Sequence, residues 1–159
     1  MKITILCVGK IKEAFYRDAL AEYLKRMSRY AKVEIIEVAD EKTPDKINDN
    51  QKELILEKEA QRILDKLDRD SLKVTLEIQG KSYTSEEFAQ FFSKAGIDGI
   101  SHITFIIGGS LGLHSTVLNI SDYPLSFSKM TFPHQLMRVI LLEQIYRAYR
   151  INSNEPYHK

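Results

Sequence analysis

The chain has 159 residues, 43% hydrophobic and 28% charged, which is the composition of an ordinary globular protein with length for one proper core. Its 23 basic and 22 acidic residues leave a formal charge of +1, so no basic excess advertises nucleic acid, although a balanced chain can still gather positive charge on one face. No apolar run approaches the roughly 18–20 residues of a membrane span. The short apolar N-terminus has no small-residue cleavage site, and a lone cysteine, Cys7, offers neither a disulfide framework nor a thiolate metal site. A cytoplasmic protein of one domain, residues 1–159, is expected.

Lys2 to Val8 reads as a first strand, β-branched and stopped by Gly9. From Ile11 to about Ala31, apolar Tyr16, Leu20, Tyr23, Leu24 and Met27 recur at helical spacing, while Lys12, Arg17, Lys25, Arg26, Arg29 and Lys32 occupy the other face. Lys32 to Ala39 alternates as a second strand. The polar stretch DEKTPDKINDNQ is the longest loop candidate, with Pro44 opposing helix. Leu54 to Leu67 predicts a helix, and Leu72 to Ile78 a third strand ended by Gly80. Ser85 with Glu86 and Glu87 reads as an N-cap followed by first-turn acids, opening a helix through Phe88, Phe91 and Phe92 that Gly96 and Gly99 close. A fourth strand (Ile103 to Ile107), a Gly108-Gly109 loop, a short helix near Ser115 to Asn119 and a fifth strand within Pro124 to Met130 follow. The last helix, about Gln135 to Arg150, is apolar on more than one face, which predicts burial on two sides. Strand and helix alternate throughout, so the fold class is α/β, a mostly parallel sheet with helices on both faces.

Two loops rich in small residues leave the fourth and fifth strands, between Phe105 and His134, where open α/β sheets bind ligands. The dinucleotide fingerprint fails there, because Ser110 stands at its second glycine and the loop lies two-thirds along the chain. A P-loop fails at Gly80-Lys81-Ser82, since Thr75 occupies the first glycine position. His102, His114, His134 and His158 show no paired metal spacing. A nucleophile elbow is displaced to G-S-x-G, leaving a hydrolase as runner-up on motif grounds. What remains is a site of backbone and small residues. It suits chemistry whose reactive group is brought by a cofactor, such as methyl transfer from S-adenosylmethionine, with the protein supplying position.

The runs IIGG…GL (Ile106 to Leu113), LSFSKMTFPHQLMRVILLEQIYRA (Leu125 to Ala148) and N-x-P-Y-H-K (Asn154 to Lys159) resemble the RlmH (YbeA) family of ribosomal large-subunit pseudouridine methyltransferases, of the SPOUT class. The likeness covers essentially the whole chain, including MKITILCVGK and VTLEIQGK. It implies a deep trefoil knot in the C-terminal third, a feature otherwise nearly absent from proteins. It also implies a homodimer through the knot helices and S-adenosylmethionine as cofactor, with no metal and no membrane. The substrate it implies is N3 of a pseudouridine in the helix 69 stem-loop of 23S rRNA, within the assembled ribosome. The other readings are a SPOUT-like RNA methyltransferase with another target base, and a non-catalytic ribosome-binding module.

The family's cofactor loops fall on Leu76, Gly108, Phe127, Ser128, Lys129, Met130, Thr131 and Phe132. His134 is either a general base for the N3 proton or a structural histidine at a helix start. Arg138 either meets RNA or uracil-ring charge, or forms an ion pair across the dimer. Tyr157 and His158 would ordinarily be a frayed end; the resemblance gives them substrate roles at the partner's cofactor, with Tyr157 stacking on the base. The basic face of the first helix is either a solvated surface or the contact to rRNA backbone.

Overall fold

The computed structural model describes all 159 residues, Met1–Lys159. Five strands alternate with five helices: β1 (Lys2–Val8), α1 (Ala14–Met27), β2 (Lys32–Val38), α2 (Asp49–Lys66), β3 (Leu72–Ser82), α3 (Ser85–Ile97), β4 (His102–Ile107), α4 (Ser115–Leu118), β5 (Tyr123–Ser126) and α5 (His134–Asn152). The strands form one sheet in the order β2-β1-β4-β3-β5, and every pairing is parallel. Parallel strands need both faces covered. One face carries the larger core, where Ile3, Ile5, Phe105, Ile107 and Val74 meet α1, α3 and α5. The other carries Leu6, Val8 and Ile106 against α2 and α4. Each aliphatic side chain fully buried in these layers contributes roughly 1.5–3 kcal/mol of transfer free energy. No helix is long and apolar enough to cross a membrane.

Several boundaries move, for local reasons. The first helix spans Ala14–Met27 instead of 11–31, because Ile11 belongs to the β1–α1 turn, its N–H held by Glu37 Oε2 at 3.0 Å. α2 begins at Asp49, five residues before the apolar stripe. Asn48 and Gln51 form a capping box, each side chain accepting the other's backbone N–H at 2.8 and 2.9 Å. The cap of α3 is Thr84, not Ser85: Thr84 Oγ1 accepts from Glu87 N at 3.1 Å and Glu87 Oε2 accepts from Thr84 N at 2.8 Å. Two adjacent hydroxyl residues made the choice, and the acid three residues on selects Thr84.

Gly80 does not end β3. The strand bulges after Leu76 and resumes at Lys81, so that Leu76 and Lys81 both align with Leu125 of β5. A Cβ on Gly80 would lie 2.7 Å from the Leu125 carbonyl carbon, so only glycine lets the two backbones approach this closely.

α5 runs between α1 and α3 and buries Arg138, Leu141, Leu142, Ile145, Tyr146 and Ala148. The expectation of burial on both sides is met on one. Leu136, Val139 and Ile140 are only half covered by the chain itself. The C-terminal tail is tied down: Glu155 meets Arg29 at 3.0 Å and Tyr30 at 2.8 Å, and also pairs with Arg150. Cys7 lies within the core, where burial pushes its thiol up to about 12 and keeps it unreactive.

Replacing Gly80 with Ala is expected to destabilise the protein by about 2–3 kcal/mol through overpacking against Leu125. A lowered urea midpoint with unchanged slope is the signature to look for.

Candidate active site

The carboxyl ends of β3, β4 and β5 open into a cavity of about 770 Å³, within the range of small-molecule sites. Its walls come from three segments, Leu76 to Gln79 at the β3 bulge, Ile107 to Leu113 after β4, and Leu125 to Met137 from β5 into α5 (Lys129, Gln135 and Leu136 excepted), together with Leu118 of α4. Of the eight residues expected to hold a cofactor, seven line it: Leu76, Gly108, Phe127, Ser128, Met130, Thr131 and Phe132. Lys129 does not; it points to solvent as the chain turns between Ser128 and Met130.

Local geometry explains the shape. Gly108 and Gly112 approach so closely that a Cβ on Gly108 would lie 2.3 Å from the Gly112 carbonyl oxygen. Gly109 and Gly112 bridge, with Gly112 N donating to Gly109 O at 3.1 Å, and Gly112 adopts φ +87. The result is a tight loop with backbone groups facing the cavity. Behind it lies Glu59 of α2, buried and accepting from Glu41 N at 3.0 Å; burial pushes its carboxyl upward. On the opposite wall Ser128 Oγ accepts from Met130 N at 3.0 Å, and Ser128 O accepts from Ser126 Oγ at 3.1 Å, so this loop is held by its own side chains.

His134, the first residue of α5, lines the mouth. Its Nδ1 is buried and has no hydrogen-bond partner. Burial holds its pKa below the ordinary 6.5, the Arg138 charge one turn on lowers it further, and Asp40 and Glu13 oppose both. The ring is therefore neutral at physiological pH.

Arg138 is not at the cavity. It is 0% exposed, and its guanidinium donates to Glu37 Oε2 at 2.8 Å, Val8 O at 2.9 Å and Gly9 O at 2.7 Å. The contact to RNA is corrected on this ground: a side chain enclosed by its own fold cannot reach a phosphate. Its ion pair is with Glu37 of its own chain, whereas the one expected was across a dimer.

Tyr157 and His158 also stand away from the cavity. Tyr157 donates to Glu143 Oε1 at 3.1 Å and meets the Tyr146 ring edge-on at 5.0 Å; burial, then hydrogen bonds with Tyr23 and Glu143, raise its pKa. His158 pairs with Glu86 of α3 at 2.7 Å. Both lie against α5 of their own chain, so neither completes the cavity of that chain.

The reading of the sequence passed over Glu77, Ser126 and Met137, all of which line the cavity. The readable signal for Glu77 was the Thr75–Glu77 alternation, which puts a polar pair on one face of an apolar strand.

A parallel α/β sheet with a cavity of backbone, glycine and apolar walls, and one neutral histidine at its mouth, defines a protein that positions a bound small molecule. Comparisons with known proteins specify which. The family model described as "Predicted SPOUT methyltransferase" matches residues 1–158. The chain is 64% identical over all 159 residues, covering 100% of both sequences, to a provisionally named ribosomal RNA large subunit methyltransferase H of Methanococcus maripaludis (strain C5). It is 58% identical, again over 100% of both, to the ribosomal RNA large subunit methyltransferase H of Bifidobacterium animalis subsp. lactis. In three dimensions it is similar to a probable methylase family protein of Haemophilus influenzae, with TM-score 0.55 at 15% identity, covering 99% of this chain and 70% of that one. The chain belongs to the SPOUT methyltransferase family.

The depressed pKa of His134 has a consequence for stability. The unfolded chain takes up this proton first, so the stabilisation is complete above about pH 6.5, declines as pH falls below that value and is fully lost only once pH has passed the lower pKa of the folded ring. An NMR titration of the ring should give a midpoint below 6.5, and His134→Gln should lessen the loss of stability on the acid side.

Proposed function

We propose that the chain is an S-adenosylmethionine-dependent methyltransferase that modifies N3 of a pseudouridine in the helix 69 stem-loop of 23S rRNA, acting as a homodimer on the assembled ribosome in the cytoplasm. The observation carrying this reading is the Gly108–Gly112 cradle facing the Leu125-to-Phe132 wall across one cavity. It occurs in a chain that matches relatives named ribosomal RNA large subunit methyltransferase H from end to end.

The residues present fit the donor. Leu76, Leu113, Leu118, Leu125, Phe127 and Met130 offer an apolar slot for a flat heterocycle. The cradle that a Cβ would fill brings main-chain donors and acceptors to its edge. When bound, S-adenosylmethionine supplies an activated sulfonium methyl, so the protein needs mainly to orient and to exclude water. His134 has a further task. Its Nδ1 is buried, which leaves Nε2 to face a ligand, and a neutral ring can take the N3 proton there as the base is methylated. In this reading Arg138 is a positioning residue that fixes the first turn of α5 and adds to the burial that keeps His134 neutral.

Support for the dimer comes from the half-covered stripe Leu136, Val139 and Ile140 on α5, which a second copy would bury. Tyr157 and His158, in the tail beyond the far end of the same helix, would then meet the partner's cavity and the target base. Support for the trefoil knot comes from the β3 bulge wrapped around Leu125, after which the chain returns as α5 between α1 and α3. The exposed cations of α1 are the proposed contact to rRNA backbone.

Calorimetry with S-adenosylmethionine tests the cofactor assignment. Saturable binding is expected, and Gly108→Ala should weaken it at least about tenfold, since its Cβ would displace the Gly112 carbonyl, while sedimentation still reports a dimer. Wild-type affinity in a folded Gly108→Ala protein would remove the site from this loop.

A further inference from the structure

The cavity is walled by 22 residues, and Glu77 is the single acidic side chain among them, with no lysine or arginine. Its orientation is built. Thr75 and Glu77 stand two apart on β3 and so share a face of the sheet. Thr75 is fully buried, and its Oγ1 lies 2.8 Å from Glu77 Oε1 and 2.7 Å from Ser121 Oγ. A hydroxyl has one proton. With Thr75 donating to the carboxylate, Ser121 must donate to Thr75, so two hydroxyls in series hold Oε1. Oε2 makes no hydrogen bond within the chain, and Glu77 joins none of the ion pairs. A half-buried carboxylate on a largely apolar wall, fixed at one oxygen and free at the other, is placed to meet positive charge from a ligand.

Resting on the cofactor reading above, we propose that Glu77 selects for the charge of the ligand, favouring a cationic sulfonium donor over the neutral thioether left after transfer. S-adenosylmethionine carries a sulfonium and an ammonium against one carboxylate. Loss of the methyl group turns the sulfonium into a thioether, and the net charge falls from positive to zero. An attraction present only before transfer lets fresh donor displace spent product, which a purely apolar slot with backbone contacts would not achieve. With solvent screening at this half-open wall, the preference amounts to about tenfold in affinity.

The test is calorimetry of the wild type, Glu77→Gln and Glu77→Ala with three probes: S-adenosylmethionine, S-adenosylhomocysteine, and sinefungin, which carries a protonated amine in place of the methylsulfonium. Glu77→Gln keeps an acceptor for Thr75 and the same volume. It should weaken S-adenosylmethionine and sinefungin about tenfold and leave S-adenosylhomocysteine within about twofold. Glu77→Ala, which drops the Thr75 contact as well, should show the same selective loss. Parallel weakening of all three probes would make Glu77 a neutral contact and overturn the proposal, as would unchanged affinities. Failure of the wild type to bind any probe would instead overturn the cofactor reading, and this one with it.

Discussion

One buried charge organises the structure. The Arg138 guanidinium is enclosed completely, and an isolated charge in such a place costs several kcal/mol. The fold offsets this by bringing three strand-end groups to it: Glu37 of β2 and the carbonyls of Val8 and Gly9 at the end of β1. Glu37 Oε2 also accepts from Ile11 N, so the same carboxylate fixes the turn into α1. Two strand ends, one turn and the first part of α5 are thereby locked around a single side chain. His134 sits one helical turn before it, so the mouth of the cavity inherits its position, and part of its electrostatics, from that pair.

The cavity itself depends on close backbone approach. Gly80 lets β3 fold over Leu125, and Gly108 lets its loop close on Gly112; at each, a methyl group would sit well inside van der Waals distance of main-chain atoms. The walls gain depth without long side chains and leave hydrogen-bonding groups of the backbone at the surface. Such a site holds and orients a ligand. Its reactive capacity resides in whatever it binds, with His134 and Glu77 as the only titratable side chains along the wall.

Much of the architecture was legible because hydrophobic period is strong in a parallel α/β protein. The short β-branched runs became β1 to β4, and the stripes at three- and four-residue spacing became α1 and α2; the fifth strand, expected within Pro124 to Met130, is Tyr123–Ser126, ending where Ser126 and Ser128 hold the loop by their own hydrogen bonds. Capping and the bulge were not legible by period, since both are set by a few polar contacts and by close approach at Gly80. The positions of Leu76, Gly108 and Phe127 to Phe132 came from family likeness, and all of them but Lys129 line the cavity. Arg138 was readable otherwise than it was read. Positions 138, 141, 142 and 145 share one helical face, and the other three are buried aliphatics, so an arginine among them points inward to a carboxylate. The tail residues Tyr157 and His158 carry no period at all, and the role proposed for them requires a second chain.

The central claim is that this cavity serves methylation of a pseudouridine in 23S rRNA. The most direct measurement is mass spectrometry of the helix 69 fragment of 23S rRNA from cells lacking the protein, beside the same fragment from cells in which it has been restored. The account predicts a pseudouridine lighter by one methyl group in the first sample and methylated in the second. An unchanged methylated pseudouridine in cells without the protein would contradict it.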